Sequence, residues 1–290
     1  MTAYDILLAP FADYGFMRRA LVACLCLGLG SGPIGVFLML RRMSLMGDAM
    51  SHAVLPGAAI GYLVAGSLSL TAMGIGGVVA GLSVALLSGV VSRMTVLQED
   101  ASFASFYLAS LALGVLIVSL RGSNIDLLHV LFGTILAIDT PALLQIGTIT
   151  SVTLLALAAI YRPLVAECFD PGYLRAVGGR GPVYHFLFLL LVVLNLVASF
   201  QALGTLMAVG LMMLPAAIAQ LWSRSLPQMM MISALSATAS GYLGLIASYH
   251  LELASGPTII MTAASLYALS ILFAPSGIAR RLFPRPHLKG

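Results

Sequence analysis

A chain of 290 residues that is 60% hydrophobic and 8% charged, with mean hydropathy +1.06, is built for lipid and excludes a soluble fold. Its formal charge of +4 comes with a single lysine, Lys289, and no basic patch interleaved with aromatic residues, which excludes nucleic acid as a partner. The three cysteines, Cys24, Cys26 and Cys168, form no disulfide framework and read as small apolar packers.

Asp5, Asp13 and Arg18-Arg19 precede the first apolar run, which argues against a cleavable signal; the run reads as a first retained span reaching Leu40. Apolar stretches of spanning length lie near 16–40, 47–66, 70–92, 102–120, 140–161, 183–200, 202–222, 228–249 and 257–275, giving nine candidates. Only Gln201 separates 183–200 from 202–222, so eight spans is also tenable. The piece IDLLHVLFGTILAI, 125–138, is too short to cross and reads as a re-entrant or surface helix. Residues 1–290 therefore form one all-α polytopic bundle, and its 29 glycines suit helices that pack through small residues.

Orientation follows from arginine placement. If the loop holding Arg41-Arg42 is cytoplasmic, Arg93, Arg162, Arg175, Arg180, Arg224 and the tail Arg280, Arg281, Arg285 and Lys289 gather on the same side. Only Arg18, Arg19 and Arg121 fall on the other. The N-terminus is then outside and the C-terminus cytoplasmic.

The second span, SLMGDAMSHAVLPGAAIGYLVAG, is chemically out of place in a bilayer. Asp48 and His52 are four residues apart and project from one face of a helix. Counting from Arg42 at the boundary, ten residues rise roughly 15 Å, which puts His52 near the midplane and Asp48 about 6 Å below it. A charge there costs several kcal/mol unless a partner or water compensates. Carboxylate with imidazole suits Mn²⁺, Zn²⁺ or Fe²⁺, and two ligands hold an ion weakly enough for it to leave. The competing reading is a structural hydrogen-bonded pair.

Farther along, Asp126 reads as a helix N-terminal acid, and His129 faces a pathway or a packed interior. In RPLVAECFDPGYLRAVGGRGP, 162–182, Pro163 and Pro171 break the chain early and glycines close it. Between them a short surface helix is expected, capped by Asp170 with Pro171 first. In SYHLELASGPTII, 248–260, His250 and Glu252 share a face if the segment is extended, as an entry ligand set or a solvated loop pair. No HExxH and no GxSxG are present, and a Walker loop lacks its lysine, so the chain cannot hydrolyse ATP by that route.

RRMSLMGDAMSHAVLPGAA (41–59) closely resembles the signature of the metal-uptake ABC permeases, the membrane subunits of zinc, manganese and iron importers. The resemblance continues at DLLHVLFGTILAI (126–138), FDPGYLRAVG (169–178), GTLMAVGLMMLPAAIAQL (204–221) and HLELASGPTII (250–260). It implies a homodimer in the bacterial plasma (inner) membrane, similar in fold to the cobalamin-type importers, with a dimeric cytoplasmic ABC ATPase and an external or periplasmic metal-binding protein. By likeness, Asp48 and His52 match the acid and histidine of the metal pathway. Phe169, Asp170, Ala176 and Gly178 match the coupling helix, within the cytoplasmic loop 163–182. His250, Glu252 and His129 stand as entry or gate ligands. No permanently bound cofactor is implied, since the metal is cargo. Ala49 after the motif acid, where zinc members often carry threonine, tips the expectation to manganese, with zinc and iron close behind. The alternatives are a proton-coupled secondary carrier, which needs no coupling helix, and a membrane metalloenzyme, which needs a third ligand.

Overall fold

The computed structural model describes residues 3–66, 69–120, 135–176 and 178–278, and among them every regular element is helical. Two short helices, α1 (Ala3–Leu7) and α2 (Ala9–Asp13), precede α3 (Gly15–Leu40), α4 (Ser44–Ala65), α5 (Leu70–Met94) and α6 (Glu99–Leu120). A 3₁₀ turn at Ile135–Ala137 leads into α7 (Thr140–Phe169) and the short α8 (Pro171–Ala176). Then come α9 (Gly181–Leu203), α10 (Thr205–Trp222), α11 (Leu226–Leu251) and α12 (Ser255–Phe273).

Nine of these helices have 18 residues or more, and each falls on one of the nine candidate spans. Seven are long and apolar enough to cross a membrane. The other two are α4, diluted by its acid, histidine, serines and glycines, and α10, in which Ala208–Trp222 is a shorter apolar helix. α9 and α10 are separate helices. The break lies at Gly204 and not at Gln201: φ is 84° there, a backbone state that side chains resist. The short piece 125–138 falls mostly outside the described residues.

Pro163 does not break the chain as expected. α7 runs through it for 30 residues to Phe169, so the loop proper begins at Asp170. Proline removes one backbone donor, but neighbouring helices re-satisfy the freed groups within a membrane bundle. Pro33, Pro56 and Pro215 are likewise inside helices.

Lipid gives helices no hydrophobic reason to associate, so close approach and polar contacts must hold the bundle. α3 is the central helix. A Cβ on its Gly32 would lie 2.9 Å from the Ala234 backbone of α11, and one on Gly35 would run into the Met212 carbonyl of α10. α4 and α5 meet in the same way, since a Cβ on Gly57 would strike the Gly76 carbonyl and the reverse also holds. Hydrogen bonds add to this at the α7–α9, α3–α7 and α3–α11 contacts. Asn195 Nδ2 donates to Thr153 Oγ1 at 2.7 Å, Thr150 Oγ1 to Cys26 O at 3.0 Å, and Ser233 Oγ to Gly32 O at 2.9 Å. Each stabilises by about 0.6–2 kcal/mol in a membrane. Apolar packing around Phe37, Met50, Phe188, Val192 and Met212 fills the space between α3, α4, α9 and α10.

Candidate metal pathway and coupling loop

Three residues join α3 to α4, and they make a Schellman turn. The Met43 N–H donates to Leu38 O at 2.9 Å and the Arg42 N–H to Met39 O at 3.0 Å. The left-handed position, where glycine is usual, holds Arg42 at φ 60°. Buried Met43 supplies the apolar contact that accompanies such a turn. This fixes where α4 starts and therefore which of its faces points outward.

That face carries the acid and the histidine. Asp48 and His52 lie one turn apart with His52 Nε2 3.9 Å from Asp48 Oδ1. This is beyond hydrogen-bond reach. It is just under about 4.2 Å, the sum of two bonds from a transition metal to imidazole nitrogen and carboxylate oxygen. One ion fits between the two atoms. Asp48 is not enclosed by its own subunit, as the sequence suggested: its side chain is 63% exposed, against 30% for His52. The reason is the rotation of α4, which buries Met46, Met50, Ala53, Val54 and Gly57 against its neighbours and leaves Leu45, Asp48, His52, Leu55 and Ala59 on an outward stripe.

The imidazole is held by an aromatic face and not by a polar partner. Its ring lies 6.3 Å from that of Tyr107 on α6, at 27°. Nδ1 is buried without a hydrogen-bond partner. Ser51, close in sequence, does not join the site, because its hydroxyl donates to the Asp48 backbone carbonyl at 2.7 Å.

His250 and Glu252 do not share an extended face. His250 belongs to the last turn of α11, and Glu252 caps that helix in the left-handed conformation, φ 53°. Helical hydrogen bonding persists to Leu251 because Ser248 closes the end: its carbonyl accepts from Leu253 N, and its hydroxyl donates to Leu253 O at 2.7 Å. Both side chains are exposed. His250 Nε2 hydrogen-bonds the Ile6 carbonyl at 3.0 Å, and Tyr242 donates to Leu7 O, so this end of α11 straps the N-terminal segment. His129 lies outside the described residues. Among those described, no three metal-ligating side chains converge.

The loop after α7 is compact. α8 follows Asp170 with Pro171 first, as expected, and the Leu174 N–H donates to Asp170 O at 3.2 Å. Gly178 takes φ 77°, and the Gly179 N–H returns to Leu174 O at 2.8 Å. Phe169, Asp170, Ala176 and Gly178 all face solvent, with Phe169 67% exposed. A cluster absent from the sequence reading lies beside the loop: Arg41, at the end of α3, is 3.8 Å from Glu167 of α7. In sequence Arg41 registered only as a marker of the loop after the first span and Glu167 had no reading, and no spacing signal joins positions so far apart. Tyr107 was missed for the same reason.

The model of the ABC 3 transport family matches residues 13–274. The chain belongs to the ABC 3 transport family. It is 38% identical over 264 residues to the manganese transport system membrane protein MntC of Halalkalibacterium halodurans, covering 91% of this chain and 89% of that one. It is 31% identical over 270 residues to the chelated iron transport system membrane protein YfeD of Yersinia pestis, covering 93% and 89%. Its fold is similar to that of PsaBC from Streptococcus pneumoniae, solved in complex with Fab, with a TM-score of 0.83 at 32% identity over 95% of this chain and 98% of that one. Apolar helices and family membership together make it a multi-pass membrane protein.

Proposed function

We propose that this family member is the permease subunit of an ATP-driven importer for divalent transition metal ions, with manganese the first choice and zinc and iron behind it. The observation that carries the reading is the Asp48–His52 pair on an outward stripe of α4. A carboxylate at that depth cannot face lipid without a large penalty. A second copy presenting the same stripe resolves this, since two subunits give two carboxylates and two imidazoles around a shared pathway. His52 Nδ1 has no acceptor to fix the ring, which suits transit and not retention, because tightly held metal sites anchor their histidines through the second nitrogen.

The names of MntC and YfeD support manganese and iron as cargo. An external binding protein delivers the ion. A separate cytoplasmic ATPase dimer docks on the loop around Phe169, Asp170, Ala176 and Gly178, and the metal is the transported cargo. The Arg41-Arg42 end of the bundle is then cytoplasmic.

The test is uptake of radioactive Mn²⁺ into proteoliposomes holding the permease, its ATPase and its binding protein. ATP-dependent accumulation that competes with Zn²⁺ or Fe²⁺ is expected. Accumulation driven by a proton gradient without ATP would replace the importer with a secondary carrier.

A further inference from the structure

At the cytoplasmic end, Arg41 stands at a junction. It closes α3, three residues before α4 begins, and its guanidinium Nη2 is 3.8 Å from Glu167 Oε1. Glu167 is three residues before Asp170, where the loop starts. The same carboxylate abuts the far end of that loop, for a Cβ on Gly181 would strike Glu167 Oε2. Glu167 and Gly181 therefore form the neck of the loop, and Arg41 reaches into that neck. The guanidinium also lies over the Phe188 ring of α9, 5.5 Å from its centroid.

The pair is enclosed but incomplete. The two side chains are 10% and 15% exposed, yet the contact is longer than a charge-assisted hydrogen bond, and Arg41 Nη1 is buried without a partner. A buried guanidinium donor left unpaired is costly, so the arrangement favours any shift that brings the carboxylate closer. Room for such a shift exists, because Arg41 and Glu167 border a cavity of about 500 Å³ that also touches Asp100 and His185.

We propose that Arg41 and Glu167 form a coupling pin that carries movement of the 170–180 loop to α4. This inference rests on the importer reading above. When the ATPase displaces the loop, its neck moves Glu167, and the charge pair draws on Arg41. Because only Arg42 and Met43 separate Arg41 from α4, the pull reaches the start of the helix that presents Asp48 and His52. The two are positioning residues. Neither touches the ion.

The experiment measures Mn²⁺ uptake and phosphate release in the same vesicles, with permease, ATPase and binding protein together. Arg41→Gln and Glu167→Gln should each lower the ratio of metal imported to ATP hydrolysed by about fivefold or more, the scale of a modest coupling free energy. The double variant should be no worse than either single, because both remove one interaction. Arg41→Lys keeps the charge and should hold most of the ratio. Wild-type protein without ATP-dependent uptake defeats the importer reading, and the pin with it. Wild-type uptake alongside an unchanged ratio in both neutral variants overturns the pin alone. So does lower yield or thermal stability in the variants with a normal ratio in the protein that survives.

Discussion

Asp48 and His52 are close enough to share one metal ion but too far apart to hydrogen-bond each other, at 3.9 Å between Oδ1 and Nε2. A structural pair would have closed that gap. Asp48→Asn preserves shape and removes the charge that attracts a dication, so Mn²⁺ uptake should fall at least about tenfold, equivalent to roughly 1.4 kcal/mol of ion binding or more. Expression should stay near normal, since the side chain is largely exposed in the subunit. His52→Ala should behave alike, and the double variant should be little worse than either. Robust uptake in Asp48→Asn rules out the ligand assignment.

Tyr107 holds the imidazole by ring contact and has no polar role there. Such a contact contributes about 0.5–1.5 kcal/mol. Tyr107→Phe should therefore transport like wild type, and Tyr107→Ala should raise the half-saturating metal concentration by about two- to twelvefold. Equal behaviour of Phe and Ala variants would remove Tyr107 from the site.

Arg42 occupies a left-handed backbone state that costs a side-chain-bearing residue about 1–2 kcal/mol. Arg42→Gly should raise the melting temperature in detergent by a few degrees, and Arg42→Val should lower it, because a β-branched residue resists that state most. A fall in both variants would mean that the arginine side chain, and not the backbone, governs this turn.

The span pattern and the acid–histidine pair were legible because both are local. Nine apolar stretches map onto nine helices, since hydropathy is summed along the chain, and i,i+4 geometry needs only helix formation to bring Asp48 beside His52. Failures came where distant segments decide. Pro163 is a breaker by propensity, yet packing in the bundle carries α7 past it. The rotation of α4, which leaves Asp48 outward, is set by the turn at Arg42 and by the Gly57–Gly76 crossing with α5, and the α5 side of that crossing lies outside 44–66. His250 and Glu252 read as a pair because residues two apart share a face in an extended segment; Ser248 instead closes the helix beneath them.

Glycine at that crossing is open to a direct test. A Cβ on Gly57 or Gly76 meets backbone, which cannot rotate aside as a side chain can. Gly57→Ala should cost about 1–3 kcal/mol and Gly57→Leu more, seen as loss of the monodisperse peak in size-exclusion chromatography. Gly89 meets nothing within 4 Å, so Gly89→Ala should leave the profile unchanged. Indistinguishable profiles for Gly57→Leu and Gly89→Ala would refute the close crossing.

His250 serves two readings that one pair of variants separates. Its Nε2 engages the Ile6 carbonyl, which accepts and therefore requires the proton on Nε2. The Nδ1 lone pair is then the one available to a cation. As an entry ligand, His250 should matter most when metal is scarce, because a capture site raises occupancy at low concentration and adds little at saturation. As a strap, it should matter for order in the N-terminal segment whatever the metal level. Glutamine can donate to Ile6 in place of imidazole but is a poor transition-metal ligand. His250→Ala should lower uptake at low Mn²⁺ more than at high Mn²⁺ and speed proteolysis near residues 3–13. His250→Gln should show the same uptake defect with normal resistance to protease. If His250→Gln transports like wild type at every concentration, the imidazole is a strap alone and metal enters without it.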